Sequence, residues 1–172
     1  MIFLEGDGMG QSTVYFCEDC GFEVTETSTV FCLDFESRKV EEMSLGMLAF
    51  NFLAGKVNGH VYTTYCSDCQ SMIKRFVLYK NEFGINEEEI ANFILDNYEG
   101  NELITVSFIN GDFFEEYQIS DNLNGQLKSK KYGDLIECPN CGKNIPSSFS
   151  RFKNCPKCGS KDFIIRSSKL FD

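Results

Sequence analysis

Nine cysteines are the residues of this 172-residue chain best suited to chemistry, and eight of them form four C-x-x-C pairs. A C-x-x-C turn places two sulfurs on one side of a tight backbone loop, so two facing turns supply the four ligands of a tetrahedral ion. Four turns therefore predict two metal sites. The predicted ligands are Cys17, Cys20, Cys66, Cys69, Cys138, Cys141, Cys155 and Cys158.

Four pairs can be combined into two sites in three ways, and loop length favours one of them. Joining Cys138/Cys141 to Cys155/Cys158 closes the shortest loop, which spans residues 142–154. The remaining pairs, Cys17/Cys20 and Cys66/Cys69, then form the other site. The sequence thus predicts one site in each half of the chain.

The ligand set predicts structural metal rather than catalysis. Thiolate quartets at this spacing usually bind zinc, so two Zn²⁺ ions are the predicted cofactors, with iron as the alternative. Four cysteines leave no coordination position for a reactive water. The only histidine, His60, is interpreted as a surface residue in a turn, so no Ser or Cys nucleophile has an obvious base. We expect the protein to have neither enzymatic activity nor a catalytic residue.

The pairs are expected between strands rather than at the start of a helix in a βαβ unit, which disfavours a thioredoxin-like role. A redox-sensitive switch, in which oxidation of the thiolates expels zinc, stays an alternative. The ninth cysteine, Cys32, lies in a strand-like apolar stretch. We expect it to be a buried small hydrophobe.

The last two knuckles carry the most specific pattern. C-P-N-C-G-K at 138–143 and C-P-K-C-G-S at 155–160 resemble the zinc-ribbon superfamily, whose knuckles are shared with rubredoxins. The resemblance covers residues 135–166 and is weaker for 14–78, where the prolines are missing and Gln70 replaces the second glycine. It implies short antiparallel strands around a structural ion, with a rubredoxin-like iron electron carrier as a further alternative.

The segments between the knuckles predict an α+β fold. Two zinc-ribbon-like modules of short antiparallel strands are expected, joined by a helix and a β-hairpin. In the first module, apolar residues at helical spacing predict a helical insertion over Val40–Ala54, with Gly55 as the stop. Asn86 followed by three glutamates predicts a capped helix over residues 87–98. Asn110-Gly111 predicts a two-residue hairpin turn within 103–119, pairing Phe108 with Phe113 and Ile104 with Tyr117.

Charge divides the chain unevenly. The net charge is −10, but residues 126–172 carry ten basic and four acidic side chains, which leaves six basic and 22 acidic ones in residues 1–125. The polar stretch between 120 and 131 marks this change of composition. The predicted domains are therefore an acidic α+β domain over 1–125, with the first four-cysteine site, and a basic zinc ribbon over 126–172.

The predicted function is a zinc-binding adaptor that meets a protein partner of unknown identity. Nucleic-acid binding through the basic ribbon is the alternative, because cations neutralise phosphates and aromatic rings stack on bases. Against it stand the acidity of the rest of the chain and a possible core role for Phe149, Phe152 and Phe163. The absence of a signal-like start and of a long apolar run predicts a cytoplasmic protein without membrane contact. The possible nucleic-acid-binding residues are Arg151, Lys153, Lys157, Lys161 and Arg166.

Overall fold

Short runs of β-branched and aromatic residues, separated by tight turns, make strands the dominant elements of the chain. The computed structural model describes residues 10–27, 29–44, 58–78, 83–98, 103–110, 115–119, 128–131 and 135–171. Within these residues there are twelve strands and a single α-helix. The predicted α+β class with a helical insertion is therefore wrong, because the described chain is mainly β.

The elements follow one another with short connections in the described segments. The helix α1 spans Glu87–Asp96, and a 3₁₀ turn spans Phe149–Arg151. The strands are β1 Gly10–Cys17, β2 Glu23–Thr27, β3 Thr29–Asp34, β4 Lys39–Ser44, β5 Gly59–Cys66, β6 Ser71–Leu78, β7 Leu103–Asn110, β8 Glu115–Ile119, β9 Lys128–Lys131, β10 Leu135–Glu137, β11 Asn144–Pro146 and β12 Phe163–Phe171.

The strands form three sheets. The largest has seven strands in the order β4-β3-β5-β6-β7-β8-β9, the second has the order β12-β1-β2, and β10-β11 is a two-stranded hairpin. All neighbours are antiparallel except β6 and β7. A parallel pair needs a crossover connection, and α1 lies in that connection.

The apolar core lies between the seven-stranded sheet and α1. Ile90 and Ile94 of the helix are fully buried against Phe31 and Phe76 of the sheet, whose rings meet edge to face with centroids 5.1 Å apart. Gly59 allows this close packing, because a Cβ there would lie 2.1 Å from the carbonyl oxygen of Val77. Burial of one face of α1 thus stabilises the sheet that carries the knuckle at Cys66, between β5 and β6.

The N-terminus of α1 confirms the capping prediction. The Asn86 side-chain oxygen accepts a hydrogen bond from the backbone N–H of Glu89 at 2.8 Å. The helix ends at Asp96, two residues before the predicted end. Beyond it, Asn97 donates from its side chain to the carbonyl of Phe93 and accepts from the backbone N–H of Val40. Asn97 therefore ties the helix end to the edge strand β4.

The predicted helix over Val40–Ala54 is wrong where the structure describes it. Residues 40–44 belong to β4, which pairs with β3 so that Val40 faces Leu33 and Met43 faces Val30. Two apolar positions three residues apart are too few to favour helix over a ladder with an available strand. Residues 45–57, including the rest of the predicted helix, lie outside the described residues.

The predicted hairpin exists, but its register is wrong. Phe108 pairs with Tyr117 and Val106 with Ile119, rather than Phe108 with Phe113 and Ile104 with Tyr117. Strand β7 continues through Asn110 and β8 begins at Glu115, so four residues connect them instead of two. The ladder therefore includes Asn110, the first of the two residues predicted to form a tight turn.

Strand pairing also crosses the predicted domain boundary near residue 125. Strand β9 extends the seven-stranded sheet through its pairing with β8, and β12 pairs with β1 over eight residue pairs. Whether residues 1–125 and 126–172 fold as separate units stays a prediction.

Candidate metal centres

Eight of the nine cysteines meet in two groups. We call Cys17, Cys20, Cys155 and Cys158 the first quartet, and Cys66, Cys69, Cys138 and Cys141 the second quartet. Within each quartet the four sulfurs lie within 4.8 Å of one another. Sulfur–sulfur contacts between knuckles include Cys17–Cys158 at 3.6 Å, Cys20–Cys155 at 3.7 Å, Cys66–Cys141 at 3.7 Å and Cys69–Cys138 at 3.9 Å.

These separations suit one tetrahedral ion in each quartet. With metal–sulfur bonds of about 2.3 Å, the sulfurs at the corners of a tetrahedron are about 3.8 Å apart. The four contacts between knuckles fall on either side of this value. Both quartets can therefore hold a metal ion, as in zinc-ribbon-like sites.

The predicted pairing of the knuckles is wrong. The first knuckle of the chain joins the fourth and the second joins the third, so the sites are nested rather than sequential. Closing a loop about ten times longer costs only about 2 kcal/mol more in chain entropy. The β1–β12 ladder, which aligns Cys17 with Phe163, offsets a cost of that size. Loop length was thus too weak a criterion for choosing the partners.

Three knuckles share one backbone design. The N–H of Cys17 donates to the carbonyl of Phe22 at 2.9 Å, and Gly21 donates back to Cys17 at 3.0 Å with φ of +67°. The knuckles at Cys138 and Cys155 repeat these bonds, with Gly142 and Gly159 also at positive φ. This left-handed conformation favours glycine, which has no Cβ to clash with the backbone.

The knuckle at Cys66 has a positive φ at the same position but no glycine there. It connects β5 to β6, with Cys66 paired with Ser71, and Gln70 occupies the position that glycine holds in the other three. Gln70 has φ of +51°, so it adopts the left-handed conformation at a steric cost.

The first quartet lies at the end of the three-stranded sheet. The backbone N–H of Glu18 donates to the carbonyl of Asp162, which holds the knuckle of β1 against the start of β12. Beneath it lies an aromatic cluster in which Tyr15 and Phe149 are 5.8 Å apart and Phe22 and Tyr65 are 5.3 Å apart, measured between ring centroids. Tyr65 immediately precedes Cys66, so this cluster connects the two quartets.

The second quartet lies between two hairpins, β5–β6 and β10–β11. Ile73, Ile136 and Ile145 are buried around it, and the Thr64 hydroxyl donates to the carbonyl of Pro146 at 2.6 Å. Two polar contacts support the knuckles directly. The Asn140 side-chain N–H donates to the sulfur of Cys69 at 3.2 Å, and Lys143 forms an ion pair with Asp68.

The thiols of the two quartets differ in their pKa values. Burial raises the pKa of Cys138 to about 12. Burial also opposes ionisation of Cys17, but hydrogen bonds from the Cys20 backbone and from neighbouring thiols outweigh it and lower the pKa of Cys17 to about 7. Metal binding must displace the bound protons, so metal affinity falls as the pH falls.

The ninth cysteine and the histidine lie outside both quartets. Cys32 is buried in β3, as predicted, with its sulfur 3.8 Å from a carboxylate oxygen of Glu41. The predicted surface-turn position of His60 is wrong. It lies half-buried in β5 with its ring 6.0 Å from that of Tyr62, and burial lowers its pKa.

The residues predicted for nucleic-acid binding separate into different environments. Phe149 is fully buried, and Phe152 and Phe163 pack partly buried against it, so the three rings contribute to the core. The Arg166 guanidinium contacts Glu23 at 2.5 Å and lies 4.1 Å from the centre of the Phe16 ring. The remaining members of the set are exposed: Arg151, Lys153, Lys157 and Lys161.

The residues that support the quartets were not predicted from the sequence. Asn140 lies between two ligands in the sequence, and this position alone could have suggested a contact with a ligand sulfur, which is that of Cys69. Asp68 lies at the equivalent position of the second knuckle, but its partner Lys143 could be identified only once these knuckles were paired.

No protein-family model matches the chain, and no curated protein or solved structure matches it either. The case for metal binding therefore rests on the geometry of the two quartets. In the part of the chain that the structure describes, no helix has the length and apolar character needed to cross a membrane.

Proposed function

We propose that the protein is a zinc-binding adaptor with two structural Zn(Cys)₄ sites. The observation that carries the proposal is the spacing of the sulfurs in the two quartets. Their distances from one another are those expected for four ligands around a tetrahedral ion. Thiolates are soft ligands, and tetrahedral quartets of them favour zinc, or iron in rubredoxin-like sites. The C-P-x-C-G knuckles support a likeness to the zinc-ribbon superfamily, although their nested pairing differs from a local ribbon.

Structural zinc fits the surroundings of both sites. Four protein ligands complete the coordination, so water has no position on the ion at which to become a nucleophile. The first cysteine of every knuckle is buried, as are the side chains packed beneath each quartet. Each ion would therefore fasten two distant parts of the chain, and the surfaces held in this way would serve a binding partner.

Metal analysis of the purified full-length protein tests this proposal. The chain is expressed in medium that contains both zinc and iron, and its metals are quantified by mass spectrometry. We expect two zinc ions per chain and a colourless protein. A red protein with one iron in each site would contradict the zinc assignment, and a folded chain without bound metal would contradict the proposal as a whole.

A further inference from the structure

An open groove of about 450 Å³ lies between a knuckle of the first quartet and a knuckle of the second. Ser67 borders it on the side of the second quartet, and Cys155 and Pro156 border it on the side of the first. Between them run residues 151–154, which form the end of the 3₁₀ turn and the segment leading into Cys155. Two metal-bound knuckles would therefore set the width of the groove.

The described lining of the groove is cationic. Arg151, Lys153 and Lys157 line it and are exposed, and none of its lining residues is acidic. Lys153 and Lys157 have no acidic partner in the described part of the chain, whereas nearby Asp68 is already paired with Lys143. A zinc ion with four thiolates carries a formal charge of about −2. The two quartets together carry about −4, but the only one of their cysteines in the lining, Cys155, is buried. The exposed charges of the lining are therefore the three cations, and the groove favours an anion.

The groove also offers an aromatic and a polar surface. Phe152 lines it while packing at 5.6 Å from Phe149, so its ring is held by the aromatic cluster. Ser67 and Asn154 add hydrogen-bonding groups. A ring beside closely spaced cations is the combination that binds single-stranded nucleic acids, because phosphates meet the cations and a base stacks on the ring.

We propose that this groove binds a single-stranded nucleic acid. Arg151, Lys153 and Lys157 contact successive phosphates, and Phe152 stacks on one base. Lys161 does not line the groove and Arg166 is engaged with Glu23, so neither takes part. The 22 acidic residues of positions 1–125 repel longer stretches of phosphate, which favours a short flexible strand over a duplex. This inference rests on the proposed function, since zinc holds both walls.

Fluorescence anisotropy with the zinc-loaded full chain tests the inference. The probe is a fluorescein-labelled oligothymidylate of about 12 nucleotides, within the range of single-strand binding sites. Each phosphate neutralised on a single strand contributes about 0.7 to the slope of log K against log salt. Three contacts therefore predict a slope of about −2.

Substitutions in the groove distinguish the contribution of the cations from that of the Phe152 ring. We expect Lys153→Ala and Lys157→Ala each to reduce the slope by about 0.7. We expect Phe152→Leu, which keeps an apolar side chain in the cluster, to weaken affinity about 10-fold with the slope unchanged. The matched controls Lys161→Ala and Lys169→Ala remove exposed lysines outside the groove and should change neither quantity.

Zinc content is measured on the same samples, so that failure of the groove proposal can be distinguished from failure of the zinc proposal. Two ions per chain without binding at low salt would overturn the groove assignment and leave the zinc adaptor intact. Equal losses in the groove variants and the control variants would also overturn it. So would tighter binding of a poly-glutamate competitor of equal charge, because the groove would then recognise acidic peptide. Fewer than two ions in the unaltered chain would contradict the zinc proposal directly.

Discussion

The two quartets use the same ligands for different structural tasks. The first joins β1 to the segment before β12, through cysteines 135 to 141 positions apart, and so holds together the two ends of the described chain. The second joins the β5–β6 and β10–β11 hairpins through cysteines 69 to 75 positions apart. The twofold difference in loop length is worth only about 0.6 kcal/mol in closure entropy. The quartets therefore differ mainly in which segments of the chain each one joins.

Their surroundings differ as well. The first quartet is held by a strand ladder and rests on aromatic rings. The second rests on isoleucines and has two direct polar supports, the Asn140 contact with Cys69 and the ion pair between Lys143 and Asp68. A shared C-x-x-C motif thus specifies the ligands and leaves the neighbouring residues to stabilise each site.

Loss of one ion gives the largest expected effect. Structural zinc is worth roughly 10–16 kcal/mol in small peptides at neutral pH. That is comparable to the whole stability of a typical domain, about 5–15 kcal/mol. We expect Cys158→Ser to release one ion and to bring amide hydrogen exchange in β12 close to the unprotected rate. Cys141→Ser should do the same in β10 and β11 and leave β12 protected.

These two substitutions are matched, because both cysteines are the exposed second members of their knuckles. Hydrogen exchange read by mass spectrometry locates the loss of protection. Identical exchange patterns in the two variants would show that the quartets act as one unit, which contradicts the separate tasks described above.

The second-quartet hydrogen bond gives a smaller effect. Asn140→Ala removes the donor to Cys69, and such supporting contacts are typically worth 10- to 100-fold in metal affinity. We expect the second site to weaken by about 10-fold in competition with a chromophoric chelator.

Lys157→Ala is the control, since Lys157 occupies the equivalent knuckle position beside the first quartet. It should leave the zinc affinity of the first site within about twofold. If Asn140→Ala weakened zinc binding at the second site no more than Lys157→Ala weakened it at the first, the Asn140 contact would not be the cause. The loss would then come from substituting any residue between the two cysteines of a knuckle.

The smallest effect concerns the knuckle that lacks glycine. Gln70→Gly relieves a left-handed conformation and should raise the free energy of unfolding by up to about 1 kcal/mol, measured by urea denaturation with zinc present. Gly142→Ala should have the opposite effect of similar size, because a Cβ there meets no atom within 4 Å and only the backbone conformation is strained. Destabilisation by Gln70→Gly would show that the glutamine side chain contributes more than its backbone costs.

Local signals in the sequence predicted local structure. C-x-x-C spacing identified every cysteine that enters a quartet, and Asn86 before three glutamates identified the start of α1. In each case the interactions that decide the outcome join residues a few positions apart.

Long-range structure was not predictable in this way. The pairing of the quartets depends on the β1–β12 ladder, which no short window of sequence contains. The strand at Val40 forms because β3 offers it a partner, and the hairpin register follows from a ladder that continues through Asn110. In each case, pairing with a neighbouring strand in the folded protein outweighed the local preference of the sequence for a helix or a tight turn.

The nested pairing is the central claim, and two double variants test it directly. Cys20→Ser with Cys158→Ser damages one site if the quartets are nested, so the chain should retain one zinc ion after a chelator wash. Cys141→Ser with Cys158→Ser then damages both sites and should retain none. Sequential pairing gives the opposite result, with one ion kept by the Cys141/Cys158 variant and none by the Cys20/Cys158 variant, and would contradict this account.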